Sequence, residues 1–180
     1  GTSPVFVEHL KAYADYIVRL FDIKQSSLIV DIGSNDGTCL GLFKELGMNV
    51  LGVDPAKEIA EIAISRGIDT ISDFFSWNLA NQIKEKKGKA RLITSHNACA
   101  HIDDLGGVIS GVEILLEDDG IFVMEVGYFV DVFENKWFDT IYHEHVDYHT
   151  VAPLEKLFDR CNMELIRVER VSPQGGSIRV

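Results

Sequence analysis

A rhythm constrains this chain more than any single residue does. Short apolar, β-branched runs alternate with segments whose apolar residues recur at helical spacing. Leu28-Ile29-Val30-Asp31-Ile32 and Val50-Leu51-Gly52-Val53-Asp54 read as buried strands, and residues 67–71, 91–96 and 120–126 as three more. Between them, Leu40, Phe43 and Leu46 form one helical stripe that stops at Gly47, and Ile59, Ile62 and Ala63 form another that stops at Gly67. Residues 77–86 form a third helix. Leu105, Val108, Ile109, Val112 and Leu116 form a fourth, with Asp103 or Asp104 placed to cap it. Strands separated by helices pair in parallel through crossovers, so the expectation is an α/β, doubly wound sheet.

The two ends of the chain differ from the middle. Thr150 is expected to cap a helix carrying Leu154, Leu157 and Phe158. Residues 165–171 and 177–180 then read as two strands joined by only Ser172-Pro173-Gln174-Gly175-Gly176, a connection that permits an antiparallel hairpin but no crossover. The predicted sheet is therefore seven-stranded and mostly parallel, closed by an antiparallel C-terminal hairpin. Leu10, Tyr13, Ile17, Leu20 and Phe21 mark an N-terminal helix expected to cover a sheet edge. No linker divides the 180 residues, so one domain is expected: a helical cover (1–24), a ligand-binding half (28–126) and a substrate-side segment with the hairpin (127–180).

Composition narrows the partners. Seventeen Lys and Arg against 28 Asp and Glu give a net charge of −11, which disfavours nucleic acid and anionic membranes. No apolar run is long enough to span a bilayer, and Gly1-Thr2-Ser3-Pro4 lacks the pattern of a signal peptide. Cys39, Cys99 and Cys161 lie far apart without a C-x-x-C spacing, so buried free thiols in a reducing cytoplasm are expected. The cluster Lys84, Lys86, Lys87, Lys89 and Arg91 reads as a solvated helix end.

In open α/β sheets ligands bind beyond the carboxyl ends of the strands. There the chain reads Asp31-Ile32-Gly33-Ser34-Asn35-Asp36-Gly37, a glycine turn that lacks the third glycine of the dinucleotide pattern and so disfavours a nicotinamide-dependent dehydrogenase. Asp31 suits a cationic ligand better than a pyrophosphate. Asp54, at the end of the next strand, is placed to accept both hydroxyls of a ribose. This acid-x-Gly-x-x-x-Gly turn resembles the first motif of the class I S-adenosylmethionine-dependent methyltransferases, whose Rossmann-like fold also ends in a hairpin. The resemblance implies that Asp31, Gly33, Ser34, Asn35 and Gly37 hold the methionine part of S-adenosyl-L-methionine, later S-adenosyl-L-homocysteine. Asp54 and Pro55 would lie at the ribose, Asp73 and Phe74 at the adenine, and Asn97 and Ala98 beside the methionine.

A second cluster is denser. Phe138-Asp139-Thr140-Ile141-Tyr142-His143-Glu144-His145-Val146-Asp147-Tyr148-His149 holds three of the six histidines. His143 and His145 could share one side of an extended segment, but H-E-x-x-H and an obvious third ligand are absent, so no metal is expected. Tyr142, His143, Glu144 and His145, preceded by Phe138 to Ile141, resemble the Y-H-E-H motif of the sugar C-methyltransferases, which methylate a carbon of a nucleotide-linked keto-deoxyhexose. The segment from Asn97 to Leu105 and the run Gly175 to Arg179 resemble that family too. Deoxysugar biosynthesis is the process implied, and the small-molecule substrate implied is a nucleotide-linked keto-sugar. Flanking zinc-binding and C-terminal domains, usual in that family, are not in this sequence, so the expectation is either an excised catalytic core or a stand-alone relative.

Carbon methylation needs an enolate. His145 is the expected base, Glu144 its support, and Tyr142 or His101 the donor to the enolate oxygen. Arg179 is the one cation expected near the closing strands for the phosphates. An O- or N-methyltransferase acting on a small molecule, or a non-catalytic cofactor-binding module, stays open beside this reading.

Overall fold

The structure, a computed structural model, describes residues 4–171 and 176–180. The turn expected at 172–176 lies outside them, apart from Gly176. Seven strands form one sheet in the order β3-β2-β1-β4-β5-β7-β6. β1 (Leu28–Ile32), β2 (Asn49–Val53), β3 (Thr70–Ile71), β4 (Ala90–His96) and β5 (Leu116–Gly127) run parallel. β7 (Ser177–Arg179) is antiparallel to both β5 and β6 (Glu169–Val171). The chain winds outward through β2 and β3, then returns to place β4 beside β1. That reversal opens a crevice between the turns after β1 and β4, where such sheets bind ligands.

Alternation along the strands sorts the core. Ile29, Leu92 and Val123 face α1 (Pro4–Leu20), α2 (Thr38–Glu45) and Ala63 of α3 (Lys57–Ser65). Val30 and Ile93 face α4 (Trp77–Lys87) and α5 (Leu105–Leu115) on the other side. Met124 and Ile178 pack against Leu154 and Phe158 of α7 (Val151–Arg160).

The N-terminal helix does not cover an edge. It lies on a sheet face beside α2, with Leu10, Tyr13, Ala14 and Ile17 buried, while Leu20 is 37% exposed. The reason is coverage: α2 and α3 shield the β1–β2 half of that face, so β4 and β5 need another apolar helix.

The cap of α5 is Asp104, whose carboxylate accepts the Gly107 N–H at 2.9 Å. Thr150 stands at the start of α7 without a side-chain cap. Leu116, expected on the α5 stripe, instead opens β5, where a register shift between Ala90 and Leu92 makes room for extra residues. Gly120 allows that bulge, because a Cβ there would sit 3.0 Å from the Ala90 carbonyl oxygen. β6 is shorter than expected, since it pairs only with the three residues of β7. A helix absent from the sequence analysis, α6 (Phe129–Asn135), follows β5.

The three cysteines are free thiols, two buried and Cys161 partly so. In the basic cluster, Lys89 pairs with Asp118 and Arg91 with Asp119, both at 2.7 Å, as a solvated helix end would. No helix among the described residues is long and apolar enough to cross a membrane.

Candidate active site

A cleft of about 1350 Å³ opens at the β1/β4 crevice. Asp31, Gly33, Ser34, Asn35, Asp54, Pro55, Phe74, Asn97, Ala98 and His101 all line it. Gly33 adopts φ +72°, and a Cβ there would lie 2.5 Å from the Ala98 Cβ, so glycine is required for the turns after β1 and β4 to meet. Gly37, at φ +75°, stands at the N-terminus of α2 against Ile68 rather than on the cleft wall. Asp73 lies outside the lining too: it is exposed, and its carboxylate accepts the Phe74 N–H at 2.8 Å. Its neighbours divide, with Phe74 75% exposed in the cleft and Phe75 buried.

Two carboxylates define the electrostatics. Asp54 is buried, and its oxygens accept the Asn35 and Ala56 N–H groups at 2.9 Å each, tying the turn after β1 to the one after β2. Each oxygen keeps a further lone pair for a hydroxyl donor. Asp31 is 3% exposed, and its Oδ1 has no hydrogen-bond partner among the described residues. Burial, reinforced by Asp54, holds its carboxyl well above the usual carboxylate range. A cationic ligand would supply the missing partner. Ser34 Oγ is likewise buried and without a hydrogen-bond partner among the described residues.

Next to the cleft lies a pocket of about 270 Å³ that shares Asn97 and His101 with it. Its other walls include Phe129, Trp137, Thr140, Tyr142, His145 and Tyr148. His145 is well defined there. Its Nδ1 lies 2.9 Å from the Thr140 carbonyl oxygen, which only an N–H can satisfy, so in the neutral ring Nε2 carries the lone pair and accepts the Tyr142 hydroxyl at 2.8 Å. His101 follows the same rule: Nδ1 donates to the Glu144 carbonyl oxygen at 2.7 Å, leaving Nε2 as an acceptor. The His101 and His145 rings are 4.9 Å apart.

The geometry corrects two details. The Glu144 carboxylate does not support His145; it is exposed and 4.0 Å from His143 Nε2, and the Thr140 carbonyl orients His145 instead. Arg179 is not available to phosphates. It bonds Glu125 Oε1 through Nε at 2.6 Å, reaches Glu169 at 3.4 Å, and lies against the rings of Tyr13 and Tyr16.

Residues without a sequence signal complete both cavities. Phe6, His9 and Leu10 bring α1 into the cleft wall, and Arg66 enters from the end of α3, paired with Asp36 at 2.8 Å. His9 Nε2 lies 2.8 Å from buried Glu125, the same carboxylate that holds Arg179. Trp137 and Tyr148 flank the Y-H-E-H segment closely enough that aromatic spacing around it could have flagged them.

A methyltransferase domain family matches residues 6–168. The chain is 37% identical to the C-methyltransferase NovU of Streptomyces niveus over 174 residues, 97% of this chain and 41% of that protein. Its fold is similar to that of an S-adenosylmethionine-dependent methyltransferase from Archaeoglobus fulgidus (TM-score 0.75, 17% identity, 91% of this chain and 72% of that one). It is also similar to the magnesium protoporphyrin IX methyltransferase ChlM of Synechocystis with bound S-adenosylhomocysteine (TM-score 0.73, 14% identity, 99% and 86%). With its crevice, its glycine turn and a family match over nearly its whole length, this chain belongs to the methyltransferase domain family.

Proposed function

We propose that the chain is the catalytic core of an S-adenosylmethionine-dependent C-methyltransferase acting on a nucleotide-linked keto-deoxysugar in the cytoplasm. The observation that carries this reading is His145. Its tautomer is fixed by the Thr140 carbonyl, and its basic nitrogen is paired with the Tyr142 hydroxyl in the pocket that adjoins the cleft. The similarity to NovU, named a C-methyltransferase, supports carbon as the methylated atom.

When bound, S-adenosylmethionine supplies an electrophilic methyl group on a positively charged sulfur. The cleft suits that cofactor: Asp31 Oδ1, without a hydrogen-bond partner among the described residues, would meet its cationic end, Asp54 would accept its ribose hydroxyls, and Phe74 would lie against its adenine. Residues 28–126 thus hold the cofactor, with α1 as an added wall, and residues 127–180 hold the acceptor.

A carbon acid attacks a methyl donor only after losing a proton. His145 Nε2 takes that proton once the Tyr142 hydroxyl turns from the imidazole to the substrate carbonyl, where it stabilises the developing enolate oxygen. Asn97 and His101, shared by both cavities, stand where the acceptor carbon meets the methyl group. Trp137, Phe129 and Tyr148 offer apolar faces to a deoxysugar ring, and no lysine or arginine lines this pocket among the described residues. The nucleotide's phosphates are therefore bound by groups outside it. NovU is much longer than the matched region, and flanking domains of that kind would supply them.

Turnover of a keto-sugar nucleotide by His145→Ala tests the base. A drop of about 10²–10⁴-fold is expected; unchanged turnover would remove the assignment. Methylation at oxygen or nitrogen would instead show as product formed without exchange of the sugar C–H with solvent.

A further inference from the structure

Three side chains of different chemistry converge on one wall of the cleft. Asp31 lies in β1, His96 ends β4, and Cys39 is the second residue of α2. His96 Nδ1 is 4.0 Å from Cys39 Sγ and 4.0 Å from Asp31 Oδ1, and the three atoms lie within 4.8 Å of one another. The same imidazole nitrogen therefore faces both other groups. The Tyr13 ring stands edge-on to the imidazole, 4.4 Å between centroids, and holds its plane.

The cluster is unsatisfied as it stands. Asp31 Oδ1 has no hydrogen-bond partner among the described residues, and its side chain is only 4% exposed, against 8% for His96. A buried oxygen without a donor lacks a positive partner. One sulfur, one imidazole nitrogen and one carboxylate oxygen form a mixed donor set that suits zinc-class ions rather than magnesium or calcium. Ligand bonds of about 2.0–2.3 Å place donor atoms roughly 3.3–3.8 Å apart. The observed triangle is wider, so binding an ion would draw the three side chains together, and all three residues line the cleft.

We propose that Asp31, Cys39 and His96 form a binding site for a zinc-class divalent ion that excludes the cofactor, making the ion a competitive inhibitor. The ion takes the place of the Cys39 thiol proton, which passes to solvent, and the thiolate and the Asp31 carboxylate balance its two positive charges. Exclusion follows because the Asp31 oxygen that would ligate the ion is the one left for the cofactor's cationic end. That second half rests on the cofactor reading of the cleft; the metal site itself does not.

The test uses the whole protein, titrated with Zn²⁺ and in parallel with Co²⁺, whose thiolate charge-transfer absorption reports a sulfur ligand. The expected result is one equivalent bound with that absorption. Cys39→Ala should lose the absorption, and His96→Gln should weaken binding at least tenfold, each with an unchanged far-ultraviolet circular dichroism spectrum. Exposed His143 cannot mimic this, because it provides no sulfur. Absence of the absorption, or its survival in Cys39→Ala, overturns the site. S-adenosylhomocysteine should abolish the absorption in proportion to its occupancy. Loss of the absorption in Cys39→Ala with no effect of S-adenosylhomocysteine overturns the competition alone. Calorimetry of S-adenosylhomocysteine without metal tests the cofactor reading separately.

Discussion

The cofactor cleft and the Y-H-E-H segment meet at Asn97 and His101 but are built on opposite principles. The cleft is made from strand ends: Asp31 is the next-to-last residue of β1, Asp54 follows β2 and His96 closes β4, and the sheet's own hydrogen bonds fix their spacing. The segment from 138 to 148 contains one short 3-10 turn and docks through a few contacts, among them the Val146 N–H on the Ala100 carbonyl at 2.9 Å. Phe138, Ile141, Tyr142 and Val146 are all exposed. Rigid strand ends suit a ligand whose shape is constant, whereas a loop with a few anchored side chains can be changed to fit different acceptors on one scaffold.

If that division is right, variants in the two regions should fail differently. His145→Ala should have the largest effect, lowering turnover about 10²–10⁴-fold while leaving cofactor affinity and melting temperature unchanged. A fall in either would show that the segment is part of the structural framework. Glu125→Gln should do the reverse. It leaves partly buried Arg179 with Glu169 as its remaining carboxylate partner among the described residues, and denaturant unfolding should show a loss of roughly 1.5–3 kcal/mol, the scale of a hydrogen bond to a charged group. Gly33→Ala should sit between them, forcing a Cβ against Ala98 at a positive φ. A strain of about 1–3 kcal/mol should appear as weaker S-adenosylhomocysteine binding by calorimetry, with the His145 pair untouched.

The smallest effect concerns pH. Burial pushes the Glu125 carboxyl up, but His96, His9 and Arg179 together outweigh it and hold it below its ordinary value of 4.5. Its contribution to stability is therefore complete above that value and is lost as pH falls through the depressed one. Glu125→Gln should flatten the acid limb of the stability curve below about pH 4.5. An unchanged limb would mean that other carboxylates carry it.

The same division explains what the sequence disclosed. Strand-end acids and glycine turns are local features with a fixed place in a parallel sheet, so the placement of Asp31, Gly33 and Asp54 at the crevice was legible in the sequence. The order of the strands followed from which connections could cross over. Contacts that depend on tertiary docking were not legible. Nothing in the stripe of α1 marks His9 as the partner of Glu125, and nothing in Arg179 shows that two carboxylates and two tyrosine rings enclose it. Glu144 shows the limit of motif reading: its position adjoins His145, yet the backbone turns its carboxylate away and the Thr140 carbonyl does the orienting. Asp73 erred for a similar reason, since its carboxylate folds onto its own neighbour's N–H instead of entering the cleft.

The central claim is that this core makes an enolate with His145. Its most direct test is solvent deuterium exchange at the carbon beside the sugar carbonyl, followed by NMR with S-adenosylhomocysteine bound so that no methyl group can be transferred. The protein should catalyse exchange and His145→Ala should not, while both bind S-adenosylhomocysteine equally. Exchange at the same rate in both proteins, or none in either with a substrate that is turned over, would contradict the claim.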